Sequence, residues 1–136
     1  MEEIMIINER TPFQEGLSKL LEIKFGNMFG ITKTETKALE NYHTENIPKL
    51  IIVDDVSTDT LEEFLNEMRE KGSKIVLLSL EADDIDNVDL DIFNGFLLKN
   101  MPTSDMLHVL KEILDYNDIY VHPDVGQVLL KKLTSK

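Results

Sequence analysis

Short apolar runs recur along this chain about every 20–25 residues, and polar residues follow each run. The clearest is Leu50–Val53, in which four apolar residues, three of them β-branched, lead directly into Asp54 and Asp55. A short apolar run bounded by polar residues is typical of a strand buried on both faces of a parallel sheet. The other strands predicted in this way are Ile4–Ile7, Met28–Thr32, Lys74–Leu78 and Gly95–Leu98.

The segments between these runs predict helices. In the first segment, Pro12 suits the first helical position and Gly26 suits a C-terminal stop. After the central strand, Thr60 and Glu63 stand at capping-box spacing, which predicts that Thr60 caps a helix. Gly72 then predicts the end of that helix.

The remaining segments give signals of unequal strength. Pro102 opens a strongly amphipathic helix. The segments 34–46 and 81–91 are polar, so they predict only weak, solvated helices. Beyond Tyr116 the chain predicts a short extended piece and then another helix that begins at Pro123.

Alternating strands and helices predict an α/β fold: a doubly wound parallel sheet with helices on both faces and right-handed crossovers. Among the common strand orders, the flavodoxin-like order 2-1-3-4-5 places strands 1, 3, 4 and 5 side by side. We therefore expect five strands in that order. A length of 136 residues favours one domain with a substantial core.

Composition narrows the possible functions. The net charge of -12 repels phosphate backbones, so we do not expect this chain to bind DNA unaided. The absence of cysteine excludes disulfides and thiolate chemistry. No apolar run approaches the length of a membrane span, and the first residues lack a basic signal-peptide region. We therefore expect a cytoplasmic protein that makes no contact with a membrane.

The candidate chemistry lies at the carboxyl ends of the predicted strands. Glu9, Asp54, Ser79 and Lys99 each follow or end an apolar run, so the flavodoxin-like order gathers them at one edge. Carboxylates and a carbonyl suit Mg²⁺, and a lysine and a hydroxyl suit phosphoryl oxygens. A carboxylate such as that of Asp54 can itself accept a phosphoryl group. Taken singly, each of these residues is also compatible with an ordinary turn or strand end.

Nearly the whole chain resembles the receiver domains of bacterial two-component response regulators. PKLIIVD, ending at Asp54, resembles the strand that carries the phosphoaccepting aspartate, and KIVLLS, ending at Ser79, resembles the strand with the conserved hydroxyl. GFLLKNM contains Lys99 at the position of the conserved lysine and Phe96 at that of the switch aromatic. The resemblance implies a self-catalysed phosphoryl switch that accepts its phosphoryl group from a sensor histidine kinase, rather than a conventional enzyme.

The resemblance also implies a metal site. Mg²⁺ is expected to be held by Glu9, Asp54 and the main-chain carbonyl of Val56. Val56 and Glu81 occupy the positions that modulate dephosphorylation by water. Because Asn8 replaces an acid, and because Glu9 is one methylene longer than the usual aspartate, we expect weak Mg²⁺ binding.

The C-terminal part resembles one subfamily of response regulators. GFLLKNMPTSDML and YVHPDVGQVLL are similar to members with a LuxR-type helix-turn-helix output. This predicts a receiver domain over 1–117 and, over 118–136, a linker towards a truncated output domain. DNA would then be bound only through that missing domain, and a homodimer is expected because such motifs usually read paired half-sites.

Two alternatives remain open at this point. The sequence Asn8-Glu9, where the family usually has two aspartates, and a loop after Asp54 about three residues shorter than usual favour a pseudo-receiver. Such a protein would dimerise or bind partners without phosphorylation. A flavin- or nucleotide-binding enzyme of similar fold is disfavoured, because NERTPFQEG lacks the glycines and hydroxyls that surround phosphate.

Overall fold

The structure, a computed structural model, describes residues 2–7, 12–35, 39, 47–54, 59–79, 90–116 and 119–134. In chain order the elements are β1 (Glu2–Ile7), α1 (Pro12–Phe25), β2 (Phe29–Thr34), β3 (Leu50–Val53), α2 (Asp59–Glu70), β4 (Lys74–Ser79), a 3-10 turn (Leu90–Ile92), β5 (Gly95–Leu98), α3 (Thr103–Asp115), β6 (Tyr120–Val121) and α4 (Pro123–Thr134). Most of the predicted helix over 34–46 and of the acid-rich segment 81–91 lies outside the described residues.

The strands of the described residues form one parallel sheet in the order β2-β1-β3-β4-β5-β6. The predicted α/β class and the order 2-1-3-4-5 are confirmed, but the expected number of strands was one too low. The sixth strand forms because the chain returns from α3 alongside β5. There the backbone N–H of Tyr120 bonds to the Asn94 carbonyl, and that of His122 bonds to the Phe96 carbonyl, each at 2.9 Å.

Helices cover both faces of this sheet. The alternation along β3 shows how the core is divided: Leu50 and Ile52 pack with α1 and α3, whereas Ile51 and Val53 pack with α2 and α4. All four residues are buried, as the unbroken apolar run predicts for a central parallel strand. Fully burying one such side chain stabilises the fold by roughly 1.5–3 kcal/mol. The buried strands therefore hold the polar residues at their ends in defined positions.

The helix ends agree with the sequence in part. Pro12 is the first residue of α1, Gly26 follows its last residue, and Gly72 follows α2 with a φ of 107°. That left-handed conformation favours glycine. The prediction that Thr60 caps α2 was wrong, because α2 begins at Asp59 and Thr60 is itself helical. The stretch VSTDT offers several residues that suit a helix start, so spacing alone did not select the right one.

The C-terminal segment packs on the same core as the rest of the chain. Val125 of α4 is fully buried, and Val121, Val128 and Leu129 pack against the cluster formed by α2 and its face of the sheet. The predicted boundary between a domain over 1–117 and a linker over 118–136 stays a prediction. Among the helices of the described residues, none is long and apolar enough to cross a membrane.

Candidate functional site

Three of the predicted site residues meet at the carboxyl edge of the central strands. Asp54 directly follows β3, Ser79 is the last residue of β4, and Lys99 directly follows β5. Because β3, β4 and β5 are adjacent and parallel, these ends lie side by side. Their convergence, predicted from the strand order, is therefore confirmed for the three residues.

Asp54 and Lys99 form a direct ion pair. The Lys99 Nζ donates a hydrogen bond to Asp54 Oδ2 at 3.1 Å. The side chains are only 17% exposed for Asp54 and 22% for Lys99. Partial burial strengthens the attraction between the charges, while the remaining exposure leaves both groups accessible to a small ligand. The pair thus places a carboxylate and a cation together at a solvent-accessible strand edge.

Ser79 is joined to Lys99 through the backbone. The Lys99 N–H donates to the Ser79 carbonyl at 2.8 Å, and Ser79 pairs in register with Leu98. The Ser79 residue is only 2% exposed. Strand pairing therefore fixes the spacing between the serine and the lysine.

Phe96, the predicted switch aromatic, lies two residues before the end of β5. Its side chain is 4% exposed and packs in the cluster shared with α2 and α4. The Phe93 ring lies 5.5 Å from it between centroids, at an interplanar angle of 55°. Phe96 also pairs in register with Val121 of β6. In this structure the aromatic ring is thus packed inward, under the C-terminal segment.

The other predicted site residues cannot be placed in the same way. Asn8, Glu9, Val56 and Glu81 lie outside the described residues. Within the part of the chain that the structure describes, no group of three or more His, Asp or Glu side chains could hold a metal ion. Of the predicted Mg²⁺ ligands, the Asp54 carboxylate is described, and an oxygen donor of this kind suits Mg²⁺.

A cavity of about 220 Å³ opens beside Lys99, between α1 and α3. The residues that line it with Lys99 are Gly16, Leu17, Leu20, Thr103, Met106 and Leu107. Sequence reasoning missed this cavity, because each apolar position fits an ordinary helix face. One signal was available, namely an isolated glycine within the helical pattern of α1.

Comparisons with known proteins address the fold. No protein-family profile matches the chain, and no curated protein matches it in sequence. A two-component response regulator of the LuxR family from Aurantimonas superimposes with a TM-score of 0.72 at 16% identity, covering 96% of each chain. The isolated REC domain of RcsB from Salmonella enterica gives 0.64 at 16% identity, covering 93% of this chain and 98% of that one.

A structure of two RcsB dimers bound to two parallel DNAs gives a TM-score of 0.69 at 17% identity, covering all of this chain and 70% of that one. At such identities the similarity establishes the fold. This chain has the receiver fold of response regulators, as its sequence motifs implied.

Proposed function

We propose that this chain is the receiver domain of a two-component response regulator of the LuxR type, with Asp54 as the phosphoryl acceptor. The observation that carries the proposal is the 3.1 Å contact between Lys99 Nζ and Asp54 Oδ2 at the carboxyl edge of a receiver fold. A buried serine, Ser79, at the end of the strand between β3 and β5 adds a hydroxyl to this edge.

The proposed reaction is a phosphoryl transfer from a phosphohistidine of a sensor histidine kinase. An Asp54 carboxylate oxygen attacks phosphorus and forms an O–P bond, while the P–N bond breaks and its electron pair stays on the imidazole nitrogen. Lys99 and the Ser79 hydroxyl bind phosphoryl oxygens and stabilise their charge. Little further covalent chemistry is asked of the protein, so positioning and electrostatics account for most of the effect.

Mg²⁺ is part of the proposal. Glu9, Asp54 and the Val56 carbonyl would hold it, and the ion would neutralise charge on the phosphoryl oxygens. Weak binding is expected, because the neutral Asn8 removes one negative charge. Asn8→Asp should therefore tighten Mg²⁺ binding, and Glu9→Gln should abolish it together with phosphorylation.

The output is proposed to be a change in packing near β4 and β5. Phe96 lies on β5, which pairs with the C-terminal strand β6. Ser79 lies on β4, which pairs with the other side of β5. If Ser79 binds the phosphoryl group, the packing around Phe96 and β6 can shift between two states. Val56 and Glu81 are proposed to set the lifetime of the phosphorylated state, so Val56→Asn should shorten it.

The partners follow from the same proposal. One solved structure holds two RcsB dimers on DNA, and we infer a homodimer for this protein, with DNA bound through a LuxR-type output domain rather than through residues 1–136. The charge of -12 is unfavourable for DNA binding by residues 1–136 alone. We propose a cytoplasmic location, where both a sensor kinase and DNA are accessible. We propose a phosphoacceptor switch rather than an enzyme that converts a separate substrate.

The test is intact-mass measurement after incubation with acetyl phosphate and Mg²⁺. The parent protein should gain one phosphoryl group, Asp54→Asn should gain none, and Asp105→Asn, which removes an exposed acid on α3, should behave as the parent. Labelling that persists in Asp54→Asn would refute the assignment of the acceptor. If neither the parent nor Asn8→Asp is labelled, the pseudo-receiver, a dimerisation module without phosphorylation, replaces the switch.

A further inference from the structure

The cavity beside Lys99 has the composition of a small-ligand site. Leu17 and Leu20 of α1 face Met106 and Leu107 of α3 across it. Lys99 is the one charged residue among the described residues that line it, and Thr103 adds a hydroxyl. Ligand pockets commonly combine a mostly apolar lining with a few convergent polar groups that fix orientation.

Gly16 provides a second, independent observation. It lies inside α1, where glycine is less favourable than alanine. A Cβ built at Gly16 would meet no atom of the described residues within 4 Å, the helix's own nearby backbone aside. Close packing in the described structure therefore does not require glycine at this position. Because Gly16 also lines the cavity, a larger side chain at this position is a way to fill the cavity from α1.

We propose that this cavity binds a small monocarboxylate with an apolar body, with the carboxylate at Lys99 and Thr103. Lys99 supplies an ammonium group for which a ligand carboxylate would compete with Asp54, and the four aliphatic or thioether side chains match a hydrocarbon body. The size is suitable, because an apolar cavity of about 150 Å³ already accepts benzene. A volume of about 220 Å³ leaves room for a phenyl ring with a short acidic arm.

The binding site shares Lys99 with the Asp54 ion pair. A ligand carboxylate and the Asp54 carboxylate are both acceptors for the same ammonium group, so ligand binding would change the surroundings of Asp54. Binding of a small carboxylate in the cavity would therefore alter the electrostatic environment of the carboxyl edge. The proposed ligand site does not require phosphorylation of Asp54. Binding is therefore tested with neither Mg²⁺ nor a phosphodonor present.

The experiment uses methionine-methyl NMR with three probes that share one skeleton: 3-phenylpropionate, 3-phenylpropanol and 3-phenylpropylamine. Met106 lines the cavity, whereas Met68 lies in the core on the opposite face of the sheet and serves as an internal control. We expect the acid to shift Met106 saturably, with a dissociation constant of about 1 mM for so small a ligand. The alcohol should bind at least about tenfold more weakly, and the amine more weakly still.

Three variants sharpen the test. Gly16→Leu fills the cavity from α1 and should weaken binding of the acid at least about tenfold. Lys99→Met should remove the preference for acid over alcohol, whereas Lys19→Met, on an exposed position of the same helix, should retain it. The Met68 signal reports whether Gly16→Leu keeps its native core. If it does not, Leu107→Phe narrows the same cavity from α3 and replaces it.

The proposal is overturned if the acid fails to shift Met106 at concentrations about twentyfold above the expected dissociation constant. It is also overturned if acid and alcohol bind equally to the parent protein, or if the cavity-filling variant binds the acid as the parent does. A saturable, acid-selective shift that Gly16→Leu removes would support it.

Discussion

The two edges of the sheet carry the same kinds of residue in different surroundings. At the carboxyl edge, Lys99 pairs with the carboxylate of another side chain, Asp54. At the amino edge, Lys74 reaches backbone carbonyls that end α3, including those of Leu114 at 3.2 Å and Tyr116 at 3.0 Å. A side-chain partner can be exchanged for a ligand, whereas a helix carbonyl is fixed in place by its own chain. The comparison predicts that Lys99 responds to a bound ligand and that Lys74 does not.

The serines of the two edges repeat this contrast. Ser73, just before β4, donates its hydroxyl to the Pro48 carbonyl at 2.6 Å and is buried. Ser79, at the other end of the same strand, is equally buried but lies beside the Asp54–Lys99 pair. The amino edge therefore uses its polar residues to join chain segments, and the carboxyl edge gathers its polar residues at one point.

The largest stability difference is expected between the two lysines. Lys74→Met removes the charged donor shared by three carbonyls, of Ile113, Leu114 and Tyr116, at a helix C-terminus. We expect a loss of about 2–3 kcal/mol in the free energy of unfolding. Lys99→Met should cost less, about 1–2 kcal/mol, because it removes one cation from a carboxylate that is mostly but not fully buried.

Urea denaturation measures both losses. Lys71→Met, which removes an exposed ion pair with Glu67, is the control and should change stability by less than about 0.5 kcal/mol. Equal losses for Lys74→Met and Lys99→Met would remove the distinction between the edges.

The serines should differ by a smaller amount. Ser73→Ala leaves the buried Pro48 carbonyl without its hydroxyl donor, which should cost about 1–2 kcal/mol. Ser79→Ala should cost less than about 1 kcal/mol but shorten the lifetime of an Asp54 phosphate, because the hydroxyl is proposed to bind it. Thermal and urea unfolding of the two variants provide the comparison. A larger loss for Ser79→Ala than for Ser73→Ala would assign Ser79 a structural role instead.

The smallest expected changes in the free energy of unfolding come from alanine substitutions of two glycines, Gly95 and Gly16. A Cβ at Gly95, at the amino end of β5, would lie 2.8 Å from Ile113 Cδ1 and 3.3 Å from Val76 Cγ2. Gly95→Ala should therefore destabilise by about 1 kcal/mol. Gly16→Ala, beside the open cavity, should stabilise by about 0.5–1 kcal/mol through helix propensity. Urea unfolding of both variants decides the signs, and a destabilised Gly16→Ala would mean that the helix needs glycine for close packing.

Much of the fold could be predicted because its signals are local. Unbroken apolar runs such as Leu50–Val53 marked the buried strands, and Pro12 and Gly26 marked the limits of α1. The regular alternation of elements then predicted a parallel sheet, but it did not by itself select the flavodoxin-like order among the common strand orders. The sixth strand could not be predicted with the same ease, since Tyr120–Val121 has only two residues and depends on pairing with β5.

The site could be predicted only as far as topology determines it. The order of the strands was enough to bring Asp54, Ser79 and Lys99 together at one edge. The role of Lys74 was not predictable, because its partners are backbone carbonyls about 40 residues away, which carry no side-chain signal. The cavity beside Lys99 also escaped, since it depends on how α1 and α3 pack.

The most direct test of the account compares the two lysines in one sample. Beryllofluoride with Mg²⁺ mimics a phosphoryl group, and NMR of the lysine side chains reports on Lys99 and Lys74 together. The account predicts that the Lys99 signal shifts on addition, because its ammonium group, which contacts Asp54 in this structure, would also contact the bound anion. The Lys74 signal should stay in place, held by the carbonyls at the end of α3. An unchanged Lys99 signal, or equal shifts of both lysines, would contradict the assignment of the carboxyl edge as the phosphoryl site.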